Sequence, residues 1–384
     1  MAASVSGIAR THARVESWCG DRRVFGALAA VLVASFLVLG LVHVHPFVDD
    51  ITVENDREDD WLDYKLNAIS ILEGGLHIPR VEGAYFIPGG FLYNYFVAAV
   101  FLIAGRNSAY VYVIQFGFLA LAAVLMAILA RRFMSAVLAT GYMLVAAVFL
   151  LVTFWYWVIR LLSENLAIVL YPIVLILIAG AVEKKSLKHL AAAGFLAGLV
   201  VLTRPNLIGL PLLLAPLAFW SAAGLYRRVA AFGVFSSFAA ASLLALPSRN
   251  LYVTQEWLSS GYGNLLFALP SAEHAATLAR RLAFCAGILI GGWDQQGTEI
   301  VINKSWLLVT SAALASLVYL AIRRRLKVID AACVMMIGAA YGPFLVLPGL
   351  GGYGFRFQHP YGPLLLFLVF RAAHELLSRV GRKS

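Results

Sequence analysis

Four ionisable residues stand where an apolar chain accommodates them least easily. Glu164 follows the aromatic stretch Trp155-Tyr156-Trp157, and Arg204 lies in Thr203-Arg204-Pro205-Asn206. Arg249 lies in Pro247-Ser248-Arg249-Asn250, and Arg356 precedes the last long apolar run. A carboxylate in hydrogen-bond reach of a hydroxyl takes up its proton, and a guanidinium grips an oxyanion through two parallel N–H bonds. Leaving either charge buried and unpaired is costly, so such residues need a partner, a ligand or a route to water. A lone helix-end arginine also has a plainer reading, as an anchor whose head snorkels to the interface. Convergence of several such groups on one face of the protein would favour chemistry over anchoring.

The elements that position them follow from composition. Of 384 residues, 61% are hydrophobic and 13% charged, against about 45–50% apolar and about 25% charged in soluble globular chains. A water-soluble domain is thereby excluded. Apolar runs such as Phe25 to Val44, Ala109 to Ala130 and Ser305 to Ile322 approach the ~20 residues that cross a hydrocarbon core. The first run follows Arg10, Arg14, Arg22 and Arg23 with no small-residue cleavage site close behind, so a retained first helix is expected. Lysines and arginines collect in cytoplasmic loops. The clusters Arg10 to Arg23, Arg131-Arg132, Lys184 to Lys188, Arg227-Arg228, Arg323 to Lys327 and Arg379 to Lys383 are therefore placed inside.

The stretch Pro46 to Ile87 holds ten of the chain's 20 carboxylates against three bases, and belongs outside. Alternation gives ten spans, starting near residues 25, 109, 134, 165, 187, 207, 229, 304, 328 and 360, in one transmembrane domain over residues 1–384. Both termini are then cytoplasmic in a multi-pass protein of the plasma (inner) membrane. Residues 46–108 form the first extracytoplasmic loop, residues 248–303 a second large outer segment, and Glu164, Arg204, Arg249 and Arg356 all fall at outer helix ends. The net charge of +10 suits inner loops meeting anionic lipid, and is no sign of nucleic-acid binding.

Two interfacial helices are expected in the first loop. Leu62, Leu66, Ile69 and Leu72 recur at helical spacing behind Asp59 and Asp60, and Gly74-Gly75 ends that helix. Phe91 to Ala104 is too short to span and carries Tyr93, Tyr95 and Phe96, which suit the headgroup level. A further interfacial piece is expected from Leu282 to Trp293. Asp59 and Asp60 have a plain reading as an N-cap in a favourable helix dipole. The outer aromatics, among them Trp61, Tyr64, Trp155 and Trp157, equally suit an interfacial belt or a sugar site. His45, His77 and His359 have no metal-ligand spacing, and Cys19, Cys285 and Cys333 are expected as buried thiols.

Asp59-Asp60-Trp61, then Tyr64, Ala68, Ile71-Leu72 and Gly74, followed by Glu82, Tyr85, Pro88-Gly89 and Tyr93, resembles the first-loop signature of GT-C glycosyltransferases. Ser163-Glu164, Gly194 to Pro205 with its Leu-Thr-Arg-Pro end, Pro247 to Asn250 and Arg356 to Pro363 extend the resemblance, in order, over most of the chain. The similarity points to the protein O-mannosyltransferase and aminoarabinose-transferase branch, whose donors are polyprenyl-phosphate sugars. Many members carry Asp-Glu where this chain has Asp59-Asp60, and spacing to Ala68 and Gly74 favours Asp60 as the match to the catalytic aspartate, with Asp59 the alternative.

The resemblance implies an all-α GT-C-like bundle and an inverting transfer from a lipid-linked sugar to a glycan, lipid or protein hydroxyl on the outer face. In that scheme Asp60 is the base, Arg204, Arg249 and Arg356 bind the departing phosphate with Lys65 as a weaker candidate, and Tyr64, Glu82 and Tyr85 line the substrate site. Glu164 either orients hydroxyls or, with Asp60, holds a divalent cation, which the residues are compatible with but do not require. A flippase or transporter for lipid-linked sugars is the alternative; its inverted repeats and midplane charges have no counterpart here. A non-catalytic scaffold would be expected to lack the carboxylates that Asp59, Asp60 and Glu164 supply.

Overall fold

The computed structural model describes residues 15–44, 60–74, 90–204, 207–245, 248, 304–346 and 361–383, and among them no strand is present. Beyond a short helical stretch over residues 15–20, the helices are α1 (Arg22–Val44), α2 (Asp60–Gly74), α3 (Phe91–Ala104), α4 (Ser108–Ala130), α5 (Ala136–Val158), α6 (Glu164–Lys184), α7 (Leu187–Thr203), α8 (Gly209–Trp220), α9 (Leu225–Leu243), α10 (Lys304–Ile322), α11 (Val328–Val346) and α12 (Gly362–Lys383). Helices occupy the ten places where spans are expected, and α2 and α3 the two places in the first loop. The expected piece from Leu282 to Trp293 lies outside the described residues.

The molecule has the construction of a helical membrane protein. α1, α4, α5 as far as Trp155, and α6 are long and apolar enough to cross a bilayer, while α3, α7, α8 and parts of α10 and α11 are apolar and shorter. Large aliphatic side chains face outward in a way water would penalise: Val42, Val152, Leu212 and Leu308 are 70%, 73%, 75% and 70% exposed. Hydrocarbon is the surrounding that stabilises such a surface.

α4 and α6 form the centre, each with 67% of its apolar window buried, while α1 lies at the periphery with 17%. α4 packs on α1, α5 and α6, and α6 packs on α4, α7 and α11. Small residues set the closest approach. A Cβ added at Gly194 of α7 would overlap the Phe235 carbonyl of α9, and one at Gly198 would overlap Ser242 Oγ and lie 2.7 Å from the Ala239 carbonyl. This is the small-xxx-small contact by which membrane helices bring their backbones together.

Helix ends segregate into two sets. At one end Arg131 donates to the Gly20 carbonyl (2.7 Å) and Glu16 caps α5 by accepting from Ala136 N (2.8 Å) and Val137 N (3.3 Å). Arg132 pairs with Glu183 at 3.3 Å, and Ser135 N donates to His374 Nδ1 at 3.4 Å. This basic end gathers the loops expected to be cytoplasmic. It also holds a cluster absent from the sequence reading: Arg371 of α12, fully buried, lies 3.6 Å from buried Asp330 of α11 and donates to Glu375 (3.2 Å) and to the Arg325 carbonyl (3.4 Å). Cys19 and Cys333 are buried thiols, as expected, and Cys285 lies outside the described residues.

At the opposite end Trp155 of α5 packs on His43 of α1 (4.1 Å between ring centroids) and on Phe116 of α4 (5.6 Å). Helix ends expected to face outward therefore meet one another here, together with α2 and α3.

Candidate functional site

Local sequence places the two central charges. Pro205 clashes with a helical conformation at the residue before it, so Arg204 is extended (φ −141°, ψ 94°) and ends α7 while its N–H still donates to the Val200 carbonyl at 2.8 Å. Glu164 is the first residue of α6, where the helix dipole favours a carboxylate. α6 and α7 pack antiparallel, which brings this start and that end together.

Arg204 Nη1 lies 3.0 Å from Glu164 Oε1, with side chains 5% and 0% exposed. The anchoring interpretation of Arg204 is therefore wrong: a snorkelling guanidinium reaches for water, and this one is enclosed with a carboxylate. The other Glu164 oxygen accepts from Ser163 Oγ at 3.3 Å. Both residues of the pair make further interactions.

α2 and α3 build the wall beside this pair. Gly90, at φ +142° before α3, gives room that no side chain would leave: a Cβ there would stand 2.9 Å from the Tyr64 hydroxyl and 3.2 Å from Ser163 Cβ. Tyr64 is thus held beside the residue preceding Glu164, with its ring edge-on to Tyr93 at 4.9 Å. Tyr93 donates its hydroxyl to Gln115 of α4, and Gln115 Nε2 donates to the carbonyls of Val158 (2.7 Å) and Arg160 (2.9 Å). Asn165 Nδ2 donates to the carbonyls of Trp157 (3.2 Å) and Arg160 (3.4 Å) from the other side. The α5–α6 turn, with Glu164 at its end, is in this way fixed by side chains from α4 and α6. Arg160 in that turn lies over the Trp61 ring at 4.0 Å. Trp61 follows Asp60, so the backbone of Asp60, first residue of α2, lies beside the turn leading to Glu164.

On the far side, Tyr171 lies two turns along α6 from Glu164, and its hydroxyl is hydrogen-bonded to that of Tyr361 at 2.9 Å. This pair is within electrostatic reach of Glu164 and Arg204. Asn94, one turn from Gly90 on α3, is fully buried, and among the described residues neither carboxamide atom has a hydrogen-bond partner.

Of the residues singled out in sequence, the structure gathers Tyr64, Glu164, Arg204 and the backbone of Asp60 at one end of the bundle. Lys65 is half-buried on α2 beside Tyr64. Asp59, Glu82, Tyr85, Arg249 and Arg356 lie outside the described residues, as does the Asp60 side chain. Among the described residues no three His, Cys, Asp or Glu side chains converge as a metal site. Of the expected apolar stripe of α2, Leu62 is buried and Ile69 and Leu72 pack against the core, while Leu66 is 42% exposed and Tyr64, Ala68 and Ile71 join the buried face. Packing on α3 selects the face with small Ala68 at its centre.

Sequence reasoning missed Gln115, Tyr93 as a polar group, Asn94, Tyr171 and Tyr361. The signal was present for Gln115 and Asn94, which are lone amides within otherwise apolar runs. Comparison of the chain with protein-family models, curated proteins and solved structures found no match.

Proposed function

We propose that this protein is an inverting glycosyltransferase that moves a sugar from a polyprenyl phosphate to an acceptor hydroxyl at the extracytoplasmic face of the membrane. The observation that supports this most is the enclosed Glu164–Arg204 pair at the end of the bundle where α2, which begins at Asp60, docks. A charge pair in a low-dielectric site is expensive to maintain. A site that must stabilise a new oxyanion while steering hydroxyl groups has use for it.

In the reaction the acceptor oxygen attacks C1 of the sugar and forms the new glycosidic bond while the bond from C1 to the phosphate oxygen breaks. Asp60 takes the acceptor proton, and the bonding electrons leave with the polyprenyl phosphate. Arg204, with Arg249, Arg356 and Lys65, takes up the added phosphate charge. No separate acid is needed, because phosphate so paired is a competent leaving group. Glu164 holds the Arg204 guanidinium and presents its second oxygen toward Ser163, a position suited to orienting a hydroxyl. Tyr64, Glu82 and Tyr85 line the sugar. Asp60 and Glu164 are the residues that would hold a divalent cation, which would supply positive charge for the departing phosphate; the scheme does not need one.

The test is incubation of purified protein in detergent micelles with a panel of polyprenyl-phosphate sugars and of glycan, lipid and peptide hydroxyl acceptors, scoring free polyprenyl phosphate. Release from one donor class, reduced ~10²-fold or more in Asp60→Asn, is expected for loss of a general base. A flippase moves the intact lipid between leaflets and releases nothing in micelles. No release from any donor by folded protein would remove the transferase assignment.

A further inference from the structure

The basic end contains a cavity of about 340 Å³ between the last turns of α6, the α4–α5 turn and the start of α11. Its walls are apolar, with Phe133, Ile178, Val182 and Leu326 among them, and two charged residues, Lys327 and Glu183, complete the lining. Glu183 is committed to Arg132 at 3.3 Å. The exposed Lys327 ammonium stands 5.2 Å from the centre of the Phe133 ring, and no carboxylate among the described residues forms an ion pair with it. The nearest acids are otherwise engaged: Asp330 caps the Lys327 backbone N–H at 2.9 Å and pairs with Arg371, and Glu375 pairs with Arg371 and Arg325.

We propose that this cavity is a binding site for an anionic phospholipid, with an acyl chain inside and the phosphate on Lys327. The volume falls within the range of about 300–1,000 Å³ typical of ligand pockets. The lining calls for an apolar body and the rim for a negative head. The loops that bring in Phe133, Glu183 and Lys327 also carry Arg131, Arg132, Lys184, Lys185 and Arg323 to Arg325, and a basic pocket between helices at a cytoplasmic boundary suits an anionic headgroup. The site is remote from the Glu164–Arg204 end, so it stands whether or not the chain is a glycosyltransferase.

The experiment measures lipid binding to the full-length purified protein by native mass spectrometry and by thermal shift. The probes are phosphatidylglycerol, phosphatidylcholine with the same acyl chains, and glycerol 3-phosphate. Saturable binding of phosphatidylglycerol at least tenfold tighter than phosphatidylcholine is expected, with no response to glycerol 3-phosphate. Lys327→Gln, an exposed substitution, should abolish the preference, whereas Lys188→Gln at the same end should keep it. Ala179→Phe, which fills the cavity, should prevent binding of both lipids. Equal binding of the two phospholipids, a preference that survives Lys327→Gln, or equal competition by glycerol 3-phosphate would each overturn the proposal. Unchanged lipid binding in folded Ala179→Phe protein would place the acyl chain elsewhere and overturn it too.

Discussion

Neutralising the Glu164–Arg204 pair one charge at a time and then together separates its structural from its chemical role. At 3.0 Å, and with an effective dielectric of about 20, the Coulombic attraction is on the order of 5 kcal/mol. Desolvation of two enclosed groups offsets most of it, so the pair's net contribution is small, while either charge left alone is stranded. Glu164→Gln and Arg204→Met should therefore each destabilise the protein by ~3–5 kcal/mol, and the double variant by much less than the sum. Activity should not follow stability. Both single variants and the double should lose ~10²-fold or more in kcat/KM, the scale for removing one charge-stabilising donor. Denaturant unfolding in mild detergent and polyprenyl phosphate release, measured on the same four proteins, provide the comparison. Stability losses additive to within about 0.5 kcal/mol would refute the pairing. Near-wild-type turnover in the refolded-to-stability double variant would show that the pair is a packing device alone.

Four other outcomes follow from the same structure. Gly198→Leu should lose ~1–3 kcal/mol or more by forcing α7 from α9, while Gly233→Ala, where an added Cβ meets nothing within 4 Å, should be neutral or stabilising; melting temperatures check both. Asn94→Leu removes a buried amide with no hydrogen-bond partner among the described residues, so it should leave stability unchanged or raise it by ~1–3 kcal/mol, and a fall in sugar-donor affinity without loss of melting temperature would mark Asn94 as facing substrate. Arg371→Met strands Asp330 and should cost ~3–5 kcal/mol in unfolding free energy, largely regained in Arg371→Met/Asp330→Asn. In a background without the native cysteines, a cysteine at exposed Glu73 should react with a membrane-impermeant thiol reagent applied outside and one at exposed Arg323 should not, and the reverse pattern would invert the orientation.

Helix positions were legible because they depend on local signals. The 14-residue run of α3, the Thr-Arg-Pro break that ends α7, and the alternation of Arg131-Arg132, Lys184-Lys185 and Arg323 to Lys327 with segments poor in bases are all written along the chain. Partnerships were not legible. Glu164 and Arg204 meet only because α6 and α7 pack at one rotation, and a helix that is apolar on all sides, as α4 and α6 are, carries no stripe to announce that rotation. The same holds for Arg371, which finds Asp330 across two helices and inside the protein, where counting bases by loop does not look. α2 shows the point in small: its period is legible and Leu62 is buried as expected, but Ala68 is fully buried and Leu66 is 42% exposed, a choice of face that only packing makes. The role of Gly90 was equally hidden, since only the assembled site shows Tyr64 and Ser163 closing on it.

The central claim is breakage of the bond between sugar C1 and the lipid phosphate at the Asp60 and Glu164–Arg204 end. Phosphorus NMR of the purified protein with a polyprenyl-phosphate sugar and its acceptor observes that bond directly. Wild-type protein should convert the donor's phosphodiester resonance to that of a phosphomonoester in step with glycosylated acceptor of inverted anomeric configuration, and Asp60→Asn should bind the donor and leave the resonance unchanged. A donor that binds wild-type protein and remains a phosphodiester with every sugar and acceptor offered would contradict the account.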